Sequence, residues 1–439
     1  MKLSGWGRYP VIECKLINAR EELDVVRAVK ENASLIARGN GRSYGDAALN
    51  PSATLSMLKM NRFLSFDPHT GVLECEAGAL LSDILSVFVP RGWFPPVTPG
   101  TKFVTVGGMI AADVHGKNHH KEGSFGCFVQ SLRLVMADGS ISTCSREENS
   151  DVFHATIGGT GLTGVIASAT FRLRNIETAY NRETVQRLPN LDEMLQAFDE
   201  ARDAPYSVAW IDCLSQGAEA GRGVLFTGRH LRRDELPKDL RSDPLTIRPR
   251  RTLPIPFAPP INLLSRWLVA EFNKFYYRRQ QPGDRVVDYD RFFYPLDALA
   301  HWNRIYGRRG FIQFQCVVPK ARGAAALKAI LEKVAASGQG SFLAVLKLLG
   351  ASGRYLSFPM EGYTLALDFP VSERTFALQT DLDRLVSDAG GRLYFAKDAR
   401  ASRAAAQSGY VELAEFSTLR DSIGAKSRFA SLLSERAGL

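Results

Sequence analysis

The chain has 439 residues and a mass of 48.4 kDa, and this length predicts two or three domains. Apolar residues make up 45% and charged residues 23% of the sequence, which excludes a disordered, collagen-like or disulfide-scaffold chain. The net charge of +9 is unevenly distributed, because residues 220–310 carry 18 basic and 9 acidic side chains while the rest of the chain carries 37 of each. This local excess predicts an anionic partner for one stretch of the chain.

The cysteines and the apolar runs bear on the cellular compartment. No pair of cysteines has Cys-x-x-Cys spacing, so we expect no metal site, and their scatter is typical of a chain that folds in a reducing compartment. Residues 1–17 are too charged for a signal peptide, and no uncharged apolar run reaches the roughly 18 residues that span a membrane. These features favour a cytoplasmic location.

Strands and helices alternate in the first part of the chain. Residues 18–32 form a predicted helix with Asn18 as its N-cap, and residues 79–92 form a second helix that ends at Pro90 and Gly92. Residues 93–101 are too rich in proline for regular structure. The remaining predictions are strands at 34–38 and 71–78, a hairpin over 131–145, and a helix, a glycine turn and a long strand over 150–174.

The pattern changes after about residue 178. Residues 236–260 are rich in proline and arginine and read as a loop. Strands are predicted within 207–228 and at 311–318, 341–349 and 363–369; helices at 323–337 and 372–391; and a strand and turn at 392–400, followed by a helical tail.

Two glycine-rich segments predict an anion-binding site. The first is "GNGRSYGD" (39–46), directly after a predicted strand, and the second joins "PGT" (99–101), "TVGG" (105–108) and "HG" (115–116). Glycine lets the backbone approach a ligand closely, and successive N–H groups in such turns bind anions, so a pyrophosphate between the two segments is the natural inference. Two tight turns of an ordinary fold are the alternative for either segment alone. Neither matches the Rossmann or the P-loop motif, which disfavours a nicotinamide enzyme or an ATPase.

These segments, together with "IGGTGLTGVI" (157–166), "AWIDC" (209–213), "GRRGFIQFQCVVP" (307–319), "LSFPMEGYTLALDFP" (356–370) and "GGRLYFAKDAR" (390–400), resemble the vanillyl-alcohol-oxidase-type (PCMH-type) flavoenzymes. Within them the chain is most similar to the decaprenylphosphoryl-β-D-ribose 2′-oxidase family. The resemblance implies an α+β fold of two domains. An FAD-binding domain would cover 1–178 and be completed by 392–439. An antiparallel-sheet substrate (cap) domain would cover 179–391, with a basic amphipathic segment at about 236–280.

The resemblance also implies which residues bind FAD. They are Gly39, Asn40, Gly41, Arg42, Ser43, Tyr44, Gly100, Thr101, Thr105, Gly107, Gly108, Ala112, His115, Gly161, Ile166, Gln315, Tyr394 and Lys397. Related aldonolactone and alditol oxidases usually carry a flavin-linked histidine where this chain has Arg42. We therefore expect non-covalent FAD.

The implied catalytic residues are Lys397 and His115, and either is a candidate for the base that takes the hydroxyl proton. The implied substrate-binding residues are Gln313, Gln315, Lys347, Tyr306, Trp210 and Thr364. Gln313 and Gln315 are two apart in one strand and therefore share a face, whereas Lys347, alone in an apolar run, is costly to bury without an anionic partner. The aromatic residues are as readily explained as core. Ala366 stands where the best-known members carry a cysteine, which predicts resistance to thiol-directed inhibitors.

The reaction implied by the resemblance is oxidation of the C2′ hydroxyl of a polyprenylphosphoryl-β-D-ribose to the 2-keto sugar. This is the first half of an epimerisation to the arabinose form, which supplies arabinan precursors for the cell envelope. The implied partners are an NADH-dependent short-chain reductase and a quinone-like electron acceptor.

A soluble sugar, alditol or aldonolactone oxidase on the same fold is the alternative function. A nucleic-acid-binding protein is suggested by charge alone and leaves the glycine segments unexplained, so no nucleic acid is expected.

A basic, aromatic segment over residues 261–279 is the final feature of note. Apolar residues recur there at helical spacing, and basic residues flank them: Leu264, Trp267, Leu268, Phe272, Phe275 and Tyr276, with Arg266, Lys274, Arg278 and Arg279. This pattern predicts an interfacial helix, or a lid over a polyprenyl-phosphate tail, at an anionic membrane surface. A core helix with a basic exposed face is an equal alternative. The expected location is cytoplasmic and peripheral to the inner membrane, with a periplasmic or cell-envelope location as the alternative.

Overall fold

The computed structural model describes residues 1–260, 265–351 and 353–439. The strands are β1 (Lys2–Ser4), β2 (Val11–Glu13), β3 (Lys15–Asn18), β4 (Ile36–Arg38), β5 (Ala53–Ser56), β6 (Phe63–Asp67), β7 (Val72–Glu76), β8 (Trp93–Phe94), β9 (Val129–Val135), β10 (Ile141–Ser145), β11 (Val165–Arg172), β12 (Arg174–Asn175), β13 (Tyr180–Leu188), β14 (Tyr206–Ile211), β15 (Gly223–His230), β16 (Leu253–Pro254), β17 (Gly283–Asp288), β18 (Leu299–Ala300), β19 (Phe311–Pro319), β20 (Val345–Leu349), β21 (Gly362–Pro370) and β22 (Arg392–Leu393). The α-helices are α1 (Glu22–Glu31), α2 (Leu81–Phe88), α3 (Val106–Ala111), α4 (His119–Glu122), α5 (Ser150–Thr156), α6 (Leu191–Glu200), α7 (Arg266–Arg279), α8 (Tyr289–Phe293), α9 (Lys320–Ser337), α10 (Glu373–Asp388), α11 (Arg403–Gly409), α12 (Leu413–Ser422), α13 (Ala425–Arg428) and α14 (Leu432–Ala437).

Two sheets organise the first part of the chain. Strands β3, β5 and β4 form a parallel sheet, and β10, β9, β11, β7 and β6 form an antiparallel one, in those orders. The hairpin predicted at 131–145 is confirmed as β9 and β10, with Val135 opposite Ile141. Helices α2 and α3 contribute Leu85 and Met109 to the core beside the antiparallel sheet. Burial of these apolar side chains is the main stabilising contribution here.

The first helix begins later than predicted. The backbone of Asn18 pairs with Ser56 at the end of β3, so Asn18 is part of a strand and the N-cap prediction is wrong. Helix α1 starts at Glu22, and Glu21 precedes it without a side-chain hydrogen bond. Pairing with a neighbouring strand supplied the backbone hydrogen bonds of residues 15–18, which a local reading of the sequence does not reveal.

A larger antiparallel sheet follows residue 179. Its strand order is β17-β13-β15-β14-β20-β21-β19-β22, so strands distant in the chain become neighbours. One face packs against α6, α9 and α10, and the core there includes Phe314, Leu346, Leu365 and Leu367. Because side chains alternate across a strand, residues 313, 315, 345, 347, 364, 366 and 368 face the other side. The α+β class is confirmed by these helices and largely antiparallel sheets.

The C-terminal helices return to the first part of the chain. Leu35 pairs with Phe429, and Arg420 Nε donates a hydrogen bond to Leu162 O at 2.9 Å. Strand β22 pairs with β19, with Leu393 opposite Cys316, so the large sheet extends beyond residue 391. The connection after β22 therefore links the sheet to the helical tail.

The basic segment forms helix α7 over residues 266–279. Leu264, which the sequence placed on its apolar face, lies outside the described residues. Asn273 Nδ2 donates to Asp212 Oδ1 at 2.9 Å and anchors the helix on the large sheet. Among the helices of the described ranges, none is long and apolar enough to cross a membrane.

Candidate active site

A cavity of about 310 Å³ lies between the glycine-rich segments and the face of the large sheet opposite α6, α9 and α10. Every residue predicted to bind the cofactor lines it, as do the predicted substrate residues Gln313, Gln315 and Lys347. Residues distant in the chain thus meet at one place, and a cavity of this kind with convergent polar groups is typical of a binding site for a small molecule.

The first glycine segment packs by its backbone. A Cβ on Gly45 would lie 1.7 Å from Asp398 O, and a Cβ on Gly39 would lie 2.1 Å from Thr105 Oγ1. Tyr44 N also donates to Ala396 O at 3.0 Å. The segment is therefore held against both the second glycine segment and the turn that follows β22, and only glycine permits that approach.

The backbone donors of this segment suit a phosphate ligand. Among the described residues, the N–H groups from Gly39 to Ser43 have no hydrogen-bond acceptor. Gly41 has a left-handed φ of 62°, as expected in a turn that directs successive N–H groups to one point. Five consecutive donors beside a cavity fit the pyrophosphate of FAD, because successive backbone N–H groups in such a turn bind anions.

Arg42 is the residue that stands, by the resemblance, where related oxidases are expected to carry a flavin-linked histidine. Its guanidinium carbon lies 4.0 Å from the centre of the Trp6 ring and 5.2 Å from that of Phe103. Burial lowers the pKa of Arg42, and the charge of Asp297 opposes that shift. The side chain is thus held as a cation between aromatic rings at the wall of the cavity.

His115 lies at the junction of the second glycine segment and the large sheet. Gln315 Nε2 lies 3.1 Å from His115 Nε2 and also donates to Thr364 Oγ1 at 3.1 Å. Burial, reinforced by the charge of Lys347, holds the pKa of His115 well below its usual range. The imidazole is therefore neutral, and its Nε2 accepts the amide hydrogen of Gln315.

Lys397 and Asp368 form an interacting pair in the same cavity. Burial lowers the pKa of Lys397, and the charge of Asp368 opposes this shift. Burial raises the pKa of Asp368, against the effects of a hydrogen bond from Gln313 and of the charge of Lys397. Both groups are consequently able to change protonation state at moderate cost.

Two more lysines add positive charge nearby. Burial lowers the pKa of Lys347 to about 8, and the charge of Lys117 adds to the effect. Burial likewise lowers the pKa of Lys117 to about 8, and its Nζ donates to the Phe292 carbonyl. Among the described residues, neither lysine forms an ion pair with a carboxylate, which favours an anionic ligand near this end of the cavity.

Three predicted substrate residues lie outside the cavity lining. Trp210 packs on Tyr276 with ring centres 4.7 Å apart, and Tyr306 stacks on Phe311 at 4.4 Å. Thr364 accepts a hydrogen bond from Gln315, which does line the cavity. The alternative explanation of Trp210 and Tyr306 as core aromatics agrees with these positions.

His119 and His120, which follow His115 in the chain, form hydrogen bonds with backbone atoms. Gly350 N donates to His119 Nδ1 at 3.0 Å, and His120 Nε2 donates to Ala204 O at 2.9 Å. Neither residue lines the cavity. They join helix α4 to the large sheet and to the turn before β14.

Several lining residues were not found from the sequence. They are chiefly Trp6, Asp297, Leu343, Val345 and Asp368. Asp368 carried a usable signal, since a lone carboxylate in the apolar run "LALDFP" is as costly to bury as Lys347 in its strand. The other residues carried no local signal in the sequence, because the tertiary arrangement of strands and turns places them at the cavity.

Comparison with known proteins adds independent findings. A family model described as an FAD binding domain matches residues 16–145. The decaprenylphosphoryl-beta-D-ribose oxidase of Mycolicibacterium smegmatis is 36% identical over 449 aligned residues, which cover 100% of this chain and 97% of the relative. An uncharacterized protein in the mprA 5′ region of Streptomyces coelicolor is 32% identical, over 82% of this chain and 100% of its own. L-gulonolactone oxidase of Mus musculus is 32% identical, but over 40% of each chain.

Proposed function

Because the chain belongs to the family of decaprenylphosphoryl-β-D-ribose oxidase, we propose that it oxidises the C2′ hydroxyl of a polyprenylphosphoryl-β-D-ribose to the 2-keto sugar. It is an FAD-dependent oxidoreductase that acts on a hydroxyl group, with FAD as its cofactor. The observation that carries the substrate proposal is that one cavity joins the two glycine segments to a sheet face bearing an enclosed amine, two amides and a carboxyl group.

The residues that would hold FAD are those of the two glycine segments, with Gly161 and Ile166 of the third glycine turn beside them. Bound FAD supplies the acceptor for the two electrons that leave C2′ when the alcohol becomes a ketone. The side chain of Tyr394 donates to Ala112 O at 2.8 Å, and this bond fixes the sheet end of the site against helix α3. The arrangement supports a rigid platform on which the sugar is oriented.

Lys397 is the proposed base for the hydroxyl proton. Its amine must be neutral to accept a proton, and burial favours that neutral form. His115 is less suitable, because its Nε2 already accepts a hydrogen bond from Gln315 and its pKa lies far below the usual range. The proposed role of His115 and Gln315 is to orient the sugar and the cofactor.

Anaerobic bleaching of the flavin spectrum tests this function. Purified holoenzyme is mixed with a short-chain polyprenylphosphoryl ribose, with free sugars or alditols, and with aldonolactones. We expect rapid bleaching by the first substrate and little by the others. Faster bleaching by a lactone or an alditol would instead assign the chain to the soluble oxidases.

The finer organisation follows from the sheets. We propose that residues 1–178 with the tail after Leu393 form the FAD-binding domain and that the large sheet forms the substrate domain; the pairing of β22 with β19 supports this boundary.

The 2-keto product would be reduced by an NADH-dependent short-chain reductase. A quinone-like acceptor would reoxidise the flavin.

Helix α7 is the proposed contact with an anionic membrane surface. Trp267 is 72% exposed and Phe275 is 59% exposed, with Arg278 and Arg279 in the last turn of the helix. Apolar side chains flanked by cations suit an interfacial helix, and we place the protein at the cytoplasmic side of the inner membrane.

Liposome flotation tests the membrane contact. Wild type and Trp267→Ser/Phe275→Ser are compared on vesicles with and without anionic lipid, and Val411→Ser, a change at an 89% exposed apolar residue elsewhere, is the control. The double variant should lose most flotation while the control keeps it. Equal flotation of all three proteins would contradict the proposed membrane contact.

A further inference from the structure

Asp368 is a lining residue for which neither the sequence nor the proposed mechanism has yet supplied a role. It lies in β21 opposite Gln313 of β19, so both side chains project from the same face of the sheet. Gln313 Nε2 donates to Asp368 Oδ1 at 2.5 Å, and Ser341 Oγ accepts a hydrogen bond from Asp368 N at 3.0 Å. The Gln313 contact orients the carboxyl group, and the Ser341 contact holds the backbone at this position.

The second oxygen of this carboxyl group is the decisive feature. Asp368 is 1% exposed and lines the cavity, yet its Oδ2 has no hydrogen bond of regular geometry within the described part of the chain. The buried Tyr306 hydroxyl neighbours the carboxyl group and lowers its pKa, but it makes no regular hydrogen bond with it and has no other partner among the described residues. A buried carboxylate oxygen without a donor is destabilising. A ligand that brings a hydrogen-bond donor to this oxygen removes that penalty.

The chemistry of the site restricts the donor. A phosphate group is repelled by a carboxylate, whereas a sugar hydroxyl can donate to it. Lys397 lines the same cavity, and its charge acts on Asp368 although the two groups are not within ion-pair distance in the described residues. A substrate with two adjacent hydroxyls can therefore present one to Lys397 and the other to Asp368.

We propose that Asp368 selects sugars with a second hydroxyl beside the one that is oxidised, because its Oδ2 accepts a hydrogen bond from that neighbouring hydroxyl. This inference rests on the proposed function, in which the neighbouring group is the 3′-hydroxyl of ribose. Gln313 keeps the carboxyl group oriented as a positioning residue. Held at both hydroxyls, the sugar presents C2′ to the cofactor in a single pose.

Binding of non-oxidisable analogues tests the proposal without turnover. A short-chain polyprenylphosphoryl 2-deoxyribose keeps the 3′-hydroxyl but has no 2′-hydroxyl, and its 2,3-dideoxy analogue lacks both. Calorimetry on the wild-type holoenzyme should show at least about tenfold tighter binding of the first analogue, as expected for a hydrogen bond to a charged group. In Asp368→Ala the two affinities should agree within about twofold, because the acceptor is gone.

Two further variants keep the result interpretable. Asp368→Asn preserves the shape of the side chain and serves if the alanine variant fails to retain FAD; it should reduce the preference. Asp203→Asn is the matched control, because that carboxylate is 82% exposed and does not line the cavity, and it should keep the tenfold preference. An unchanged tenfold preference in both Asp368 variants overturns the proposal, and so does a wild-type enzyme that binds both analogues equally.

Failure of the proposed function gives a different result. If intact polyprenylphosphoryl ribose does not bleach the flavin, the substrate assignment is wrong. The same affinity comparison is then made with the sugar or alditol that does bleach it and with its deoxy analogues. The role of Asp368 is thereby decided in either case.

Discussion

The side-chain nitrogen of Lys397 lies 3.6 Å from the centre of the Tyr44 ring. Tyr44 belongs to the first glycine segment, and Lys397 to the turn after β22. The contact therefore joins the first glycine segment to the turn that leaves the sheet carrying Asp368 and Gln315. It holds the proposed base, with its nitrogen against the face of an aromatic ring, at the point where cofactor and substrate would meet.

Lys397→Met is expected to lower the rate of anaerobic flavin reduction by at least about 100-fold, because the proposed base is removed. Stopped-flow absorbance measures the rate. Lys59→Met, a change at an exposed lysine, is the control and should match wild type. A Lys397→Met enzyme with full flavin content and a rate near that of wild type would rule out the amine as the base.

The rate of flavin reduction should rise with pH. Lys397 must lose its proton before it can act as a base, and burial lowers its pKa, so the inflection should lie well below the usual range for lysine. Asp368→Asn removes a negative charge that raises this pKa, so the inflection should move to still lower pH. Pre-steady-state rates across a pH series check both expectations. An inflection that does not move in Asp368→Asn would contradict the coupling.

The flavin should leave the polypeptide on denaturation, because Arg42 cannot form the covalent link that a histidine makes at this position. The protein is precipitated with acid, and absorbance and gel fluorescence locate the flavin. We expect all colour in the supernatant and a dark protein band. A fluorescent band would mean that another residue carries the cofactor.

Gly45→Ala should impair both stability and FAD retention. The added Cβ would lie 1.7 Å from the Asp398 carbonyl oxygen, and that backbone atom cannot move aside as a side chain would. We expect a loss of about 1–3 kcal/mol in the free energy of unfolding. Gly217→Ala is the control, because a Cβ there meets no atom within 4 Å and introduces only left-handed backbone strain at a φ of 62°. Thermal melts and flavin-to-protein absorbance ratios distinguish the two variants.

Thiol-directed electrophiles should not inactivate the wild-type enzyme. Ala366 lines the cavity and offers no thiol, and burial raises the pKa of the nearby Cys316 to about 12. Ala366→Cys should become sensitive, with a one-to-one adduct seen by mass spectrometry. Exposed Cys127, which does not line the cavity, would be labelled in both proteins without loss of activity. Inactivation of wild type at an equal rate would show that another group reacts.

The glycine segments, the implied cofactor and the family were readable from the sequence alone. They depend on short motifs whose chemistry is local, such as the glycines and Arg42 of residues 39–46 and the lysine of "YFAKDAR". Strand alternation also predicted correctly that Gln313 and Gln315 share a face. All the predicted cofactor residues line one cavity.

Only the tertiary structure decided which strands stand side by side. Strand β21 lies between β20 and β19, so Asp368 meets Gln313 across 55 residues of chain. The same strand order places Trp210 and Tyr306 outside the cavity lining, packed on other aromatic rings. In the parallel sheet, pairing with Ser56 makes Asn18 part of a strand. Periodicity states which residues share a face of one strand, but the neighbours of that strand are set by long-range burial and backbone pairing, which leave no local mark in the sequence.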